Sequence, residues 1–178
     1  MINRVIDSLK DGYLLEKEED MAGFLGIQVT RENKKGMLSL TQTGLTDKTL
    51  HSMDLQDSKP KYTPADKIPL HKDLLGAPCG EEYDYRSIAG MMIYLVGSTR
   101  PDVVFSVHQC ARFSHAPKHS HEIGLKHIAR YLKGTREKSL ATTLDKSNLK
   151  LNLFADSDFT GLFSAEDCMD PIRVKSRT

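Results

Sequence analysis

The chain has 178 residues, 39% hydrophobic and 28% charged, with no Trp and a net charge of +1. That length suits one ordinary domain or two small pieces, and the composition excludes intrinsic disorder and collagen-like sequence. The near-zero total charge leaves bulk electrostatics favouring no partner, so any charged function has to come from local distribution.

Ile2, Val5, Ile6 and Leu9 have the i, i+3, i+4, i+7 spacing of a short amphipathic helix, which Asp11-Gly12 stops. The polar start lacks the apolar core of a secretory signal. Phe24 to Thr30 and Gly36 to Leu40 read as two strands, with a turn over Asn33 to Gly36 making a hairpin. After Gln42, the residues Leu45, Thr49, Leu50 and Met53 predict another short helix.

Between 59 and 80 stand Pro60, Pro64, Pro69 and Pro78, with mixed charges and no sustained period. Proline lacks a backbone donor and fixes φ, so this span reads as an extended connector between two pieces.

Tyr85, Ile88, Met92, Leu95 and Val96 share one face of a helix whose other positions are also largely apolar, which predicts a buried helix. The longest apolar run, from Ile88 to Val96, is about half the roughly 20 residues a membrane span requires. Pro101 suits the first turn of the next helix, with Val103, Val104, Val107, Cys110 and Ala111 as its inner stripe. The Ala116-Pro117 step ends it, since a residue before proline is pushed out of the helical region. A third helix follows from about Lys118 to Lys133, stopped at Gly134. Leu140 to Leu144 and Leu149 to Ala155 are strand candidates around a polar turn at Lys146-Ser147-Asn148. The fold class expected is therefore α+β: helix and hairpin, Pro-rich linker, three-helix cluster, then a small antiparallel strand pair.

On the third helix, His119, Lys126, Arg130 and Lys133 fall within about 60° of one another. Ile123, Ile128, Tyr131 and Leu132 occupy the remaining arc. From Lys118 to Lys138 there are six Lys and Arg against two Glu, a local excess that the neutral total hides. Such a stripe suits a phosphate backbone, where each neutralised phosphate releases counterions. An ordinary solvated helix face produces the same pattern.

The three cysteines, Cys79, Cys110 and Cys168, form no Cys-x-x-Cys pair, which argues against a disulfide framework and for a reducing compartment. Cys110 with His115, His119 and His121 matches no dense tetrahedral metal spacing, and His119 and His121 point about 200° apart on a helix. Nothing pairs a cysteine or serine with a base and an orienting acid. Asp156 and Asp158 follow a predicted alternating strand and share its parity, a pattern that predicts both on one face at its end. Two carboxylates so placed suit a hard cation such as Mg²⁺, or are simply the polar end of a strand entering the Thr160-Gly161 turn.

In this order the segments resemble the Pol polyprotein of copia-type retrotransposons. The residues that carry the resemblance begin with Phe24-Leu25-Gly26-Ile27 and Lys59-Pro60…Thr63-Pro64. They continue through Tyr85-Arg86-Ser87-Ile88-Ala89-Gly90, Tyr94-Leu95 and Thr99-Arg100-Pro101-Asp102. Arg130-Tyr131-Leu132-Lys133-Gly134-Thr135 and Ala155-Asp156-Ser157-Asp158 complete the set. Each string is weak by itself, and the ordered set covers nearly the whole chain.

The resemblance implies the C-terminal part of a reverse transcriptase, thumb and connection-like, running into the start of RNase H. On that frame 1–58 is the end of the palm and thumb-like region, 59–80 a linker, 81–138 a helical connection region and 139–178 a truncated RNase H-like beginning. Asp156 matches the first acid of the RNase H metal site, and Asp158 belongs to the same motif with a less defined role. The family's Tyr-x-Asp-Asp motif is expected before Met1 and the later RNase H acids after Thr178. Position 122 is Glu where the family often has Trp.

The expectation is a polyprotein fragment whose parent carries out RNA-directed DNA synthesis and cleaves RNA in hybrids, but which is itself catalytically incomplete. Mg²⁺ serves the parent and is not stably held here; Asp156 is a ligand only if the rest of that site comes from elsewhere. The alternative is a non-catalytic nucleic-acid-binding module using His119, Lys126, Arg130 and Lys133. A third reading has the chain completed in trans by a palm-bearing polypeptide. Expected partners are an RNA–DNA or DNA duplex through its phosphates and the missing palm and RNase H parts, with no membrane. The implied location is the cytoplasm, in a virus-like particle for the parent family, with the nucleus as alternative.

Overall fold

The computed structural model describes residues 12, 23–32, 36–66 and 69–143. The predicted helix over Ile2 to Lys10, the strand from Leu149 to Ala155, and Asp156, Asp158 and Cys168 lie outside them. The architecture is α+β. Strands β1 (Gly23–Phe24), β2 (Ile27–Glu32) and β3 (Met37–Thr41) lead into helix α1 (Thr43–Ser52). Helices α2 (Tyr85–Ser98), α3 (Val104–Ala111) and α4 (His119–Gly134) follow, with a 3₁₀ turn at Pro101–Val103 before α3, and β4 (Leu140–Thr143) comes last. No described helix is long and apolar enough to cross a membrane.

The four strands form one antiparallel sheet in the order β1-β2-β3-β4. The single strand expected from Phe24 to Thr30 is in fact two. Leu25 (φ 50°) and Gly26 (φ 78°) both take left-handed backbone and turn the chain between Phe24 and Ile27. Two consecutive positive φ values match the right-handed twist of the flanking strands, which is why such turns close two-residue hairpins. Leucine at the first of these positions gives no sequence warning of it. β2 pairs with β3 from Gln28↔Thr41 to Glu32↔Met37, as the predicted hairpin requires. β4 returns to the far edge of that hairpin, Leu40↔Leu140 through Met37↔Thr143, and so ties the two ends of the described chain into one sheet.

The helices enclose the core. Met92, Leu95, Val103, Val107, Leu125 and Leu132 have no exposed surface, and Ile88 and Ile128 almost none. Burying each such side chain contributes about 1.5–3 kcal/mol relative to leaving it in water. Asp84 caps α2 by accepting the Arg86 N–H at 3.0 Å, satisfying one of the orphan donors of the first turn. The stripe predicted for α2 is inward, but the helix is one-sided: Ile93 and Tyr94 are exposed, and Tyr94 donates to the Leu25 carbonyl at 2.9 Å, joining helix to sheet. Val104, assigned to the inner stripe by the wheel, is also exposed, as is Ile123 on the arc away from the cations.

Among its described residues the Pro-rich span contains no helix or strand, as expected, and only the isolated bridge Pro78↔Lys118. Its backbone lies along α4. Lys61 N–H donates to the Arg130 carbonyl at 3.2 Å, His119 N–H to the Ala77 carbonyl at 2.9 Å, and Cys79 N–H to the Pro117 carbonyl at 3.2 Å. Gly134 permits the closest approach: a Cβ there would lie 2.9 Å from the Pro60 Cβ and 3.4 Å from the Lys61 carbonyl oxygen. The span is a strap across the helix.

Candidate nucleic-acid interface

Helix α4 supplies the cations that the sequence placed on one stripe, and the strap determines what each of them does. At the N-terminal end, His119 Nδ1 lies 3.2 Å from Glu122 Oε2, and Lys126 Nζ lies 2.7 Å from Glu122 Oε1 and 3.4 Å from Glu82 Oε2. Glu122 also accepts the Gly80 N–H at 3.2 Å, although its side chain is only 4% exposed. The bond from Lys126 pulls the Glu122 carboxyl down to about 2; burial works against this, and the Gly80 and His119 bonds reinforce it. Lys126 is correspondingly raised by the same carboxylate. Glu122 thus fastens the strap and offsets positive charge at this end.

The C-terminal half differs. Arg130 Nε donates to the Lys59 carbonyl and Lys133 Nζ to the Ser58 carbonyl, each at 2.6 Å. Those acceptors are neutral, so the bonds fix the two side chains without cancelling their charge. Among the described residues no carboxylate reaches ion-pair distance of Arg130 or Lys133. The four cations of α4 are divided: His119 and Lys126 face Glu122, whereas Arg130 and Lys133 have no ion-pair partner among the described residues.

His121 and His127 of α4 are structural. His121 is 1% exposed and stacks on Phe113, with ring centroids 4.0 Å apart and planes 4° from parallel. Its Nδ1 accepts the Lys118 N–H and its Nε2 reaches the His71 carbonyl, both at 3.0 Å, so both ring nitrogens are engaged. His127 Nε2 likewise holds the Thr63 carbonyl at 2.9 Å. Among the described residues no group of three or more His, Cys, Asp or Glu is placed to hold a metal ion. Burial pushes the Cys110 thiol up to about 12, far from a reactive thiolate, and burial with the nearby Glu122 raises Cys79 as well.

A second cluster escaped the sequence reading. Arg100, 3% exposed, forms a bidentate pair with Asp102 at 2.9 and 3.0 Å and donates to the Thr135 carbonyl and hydroxyl at 3.1 and 2.7 Å. Tyr131 donates its hydroxyl to Asp102 at 2.9 Å, and Lys138 Nζ lies 3.0 Å from that hydroxyl and 3.6 Å from Asp102. Burial works to raise the Asp102 carboxyl, but the bonds from Arg100 and Tyr131 prevail and hold it at about 2. The strings Thr99-Arg100-Pro101-Asp102 and Arg130-Tyr131-Leu132-Lys133-Gly134-Thr135 therefore meet in space, and Pro60 of the strap packs on Gly134 of the latter. The signal in the sequence was the pair of strings itself; their contact was not readable from it.

No family profile and no solved structure matches the chain. Among curated proteins it is 31% identical over 165 residues to the retrovirus-related Pol polyprotein from transposon RE2 of Arabidopsis thaliana, covering 90% of this chain and 11% of that protein. The corresponding polyprotein from transposon TNT 1-94 of Nicotiana tabacum is 29% identical over 143 residues, 77% of this chain and 11% of its own length. An uncharacterized mitochondrial protein of Arabidopsis thaliana is 30% identical over 164 residues, 92% of this chain and 66% of that one. The chain thus spans about a tenth of the polyproteins it matches. Sequence, ordered motifs and relatives agree: the chain is similar to one short stretch of the retrovirus-related Pol polyproteins of copia-type transposons.

Proposed function

We propose that this stretch joins the reverse transcriptase to the RNase H part of the polyprotein and serves there as a non-catalytic scaffold. The observation that carries the reading is what the motif residues do. Arg100, Asp102, Tyr131 and Thr135 direct their polar groups at one another, and Gly134 seats Pro60. Residues engaged in this way hold helices and strap in register and leave little free for substrate. RNA-directed DNA synthesis and hybrid cleavage then belong to the parent, with Mg²⁺ at its sites; Asp156 supplies one ligand only in company with acids from elsewhere, and Asp158 belongs to the same motif. The palm and the remainder of RNase H are the protein partners on this reading, and the cytoplasm is the location. The purified chain, given primer–template, nucleotides and Mg²⁺, is expected to extend no primer and cut no hybrid. Mg²⁺-dependent extension or cleavage by this chain overturns the reading.

A second role is favoured by a separate observation, the uncompensated charge on Arg130 and Lys133. Together these residues can meet phosphates of an RNA–DNA or DNA duplex, whereas His119 and Lys126 already face Glu122. This narrows the four-residue stripe to its C-terminal half.

A further inference from the structure

We propose that the strap supplies half of a phosphodiester-binding surface, with Lys59 and Lys61 acting beside Arg130 and Lys133 of α4. This rests on the duplex-contacting role of α4 and extends it to residues that no helical wheel could include. The strap is locked at this point: Arg130 holds the Lys59 carbonyl at 2.6 Å, Lys61 N–H returns to the Arg130 carbonyl at 3.2 Å, and Pro60 between the two lysines sits on Gly134. Lys59 is exposed and Lys61 half-buried. Among the described residues no carboxylate is within ion-pair distance of either lysine, as for Arg130 and Lys133. Four cations with no ion-pair partner among the described residues thus belong to one strap–helix junction, whereas Glu122 and Glu82 pair with Lys126 towards the other end of the helix.

One exposed lysine attracts an anion weakly in water, and salt screens it within about a Debye length. Several cations held at fixed spacing are a different case, because a phosphodiester backbone presents negative charges at regular intervals and releases a counterion at each contact. Arg130 and Lys133 lose less freedom on meeting phosphates, since the strap carbonyls already fix them. A nucleic-acid duplex therefore suits the surface better than an isolated anion.

The test measures binding of the full chain to a short labelled RNA–DNA hybrid across a salt series. Circular dichroism melting confirms that every variant folds. The K59Q/K61Q pair is expected to make the slope of log affinity against log salt shallower by about one per lysine, while K126Q leaves it unchanged. If R130Q/K133Q flattens the slope and K59Q/K61Q does not, the strap surface is wrong and the α4 role stands. If the unaltered chain shows no salt-dependent binding, both fail. Poly-glutamate competing as well as the hybrid overturns the phosphodiester assignment.

Discussion

Arg100→Ala is expected to remove about 1.5–3 kcal/mol of stability, the range for charge-assisted hydrogen bonds lost from a buried guanidinium. In a domain whose total stability is of the order of 5–15 kcal/mol, this is a large share of the whole. The guanidinium is 3% exposed and bridges Asp102 directly to Thr135, so its loss strips the Asp102 carboxylate of its two-bond partner and leaves the Thr135 carbonyl with the Lys138 N–H at 3.0 Å. Lys138 at 3.6 Å and the Tyr131 hydroxyl at 2.9 Å retain only part of the compensation for Asp102. Arg100→Lys should rescue little, because an ammonium cannot form the planar two-bond fork while also reaching Thr135. Urea unfolding of the two variants measures this directly. A loss of under about 1 kcal/mol, the range of an exposed surface pair, contradicts it.

Glu122→Gln is expected to cost about 2–3 kcal/mol, the range for charge-assisted bonds and a charged group left with a weakened partner. Its carboxylate draws together Lys126, the Gly80 N–H and His119, so its loss loosens the strap at its C-terminal end. The substitution should also change the response to acid. Glu122 is held at about 2, below the ordinary 4.5, so it stabilises the fold above pH 4.5 and that contribution disappears as pH falls from 4.5 towards 2. Asp102, held at about 2 against an ordinary 3.8, loses its share over the lower part of the same window. Stability curves of the unaltered chain and Glu122→Gln should therefore converge as pH drops through this range. Parallel curves from pH 6 to pH 2 would show that the Glu122 carboxylate has no such linkage.

The helices were legible because their apolar spacing is local and strong. Tyr85, Ile88, Met92 and Leu95 are buried as the period requires, and Gly134 ends α4 at the predicted place. The Leu25-Gly26 turn was not legible, since a leucine at φ 50° contradicts its own preference and is held there by the strands on either side. Nor was the position of β4 beside β3, a pairing across about a hundred residues that no local pattern encodes.

The prolines mark the strap as extended, but nothing in its composition marks its bonds to α4. Its anchors are the carbonyls of Ser58, Lys59, Thr63 and His71, and a carbonyl leaves no mark in a sequence. The basic stripe was half legible. Glu122 stands three residues after His119 and four before Lys126, a spacing that forecasts both contacts on a helix. Glu82, from a distant part of the chain, could not have been anticipated. Asp156 and Asp158, the acids that the resemblance ties to RNase H, lie outside the described residues.

Hydrogen exchange of the strap amides tests the scaffold account most directly. The amides of Lys61, Cys79 and His119 bond across the strap–helix boundary, so they should exchange about a hundredfold or more slower than in an unstructured peptide, together with those of α4. If Lys61 and Cys79 exchange at the unstructured rate while α2 and α4 stay protected, the strap is a free linker and the scaffold account is wrong.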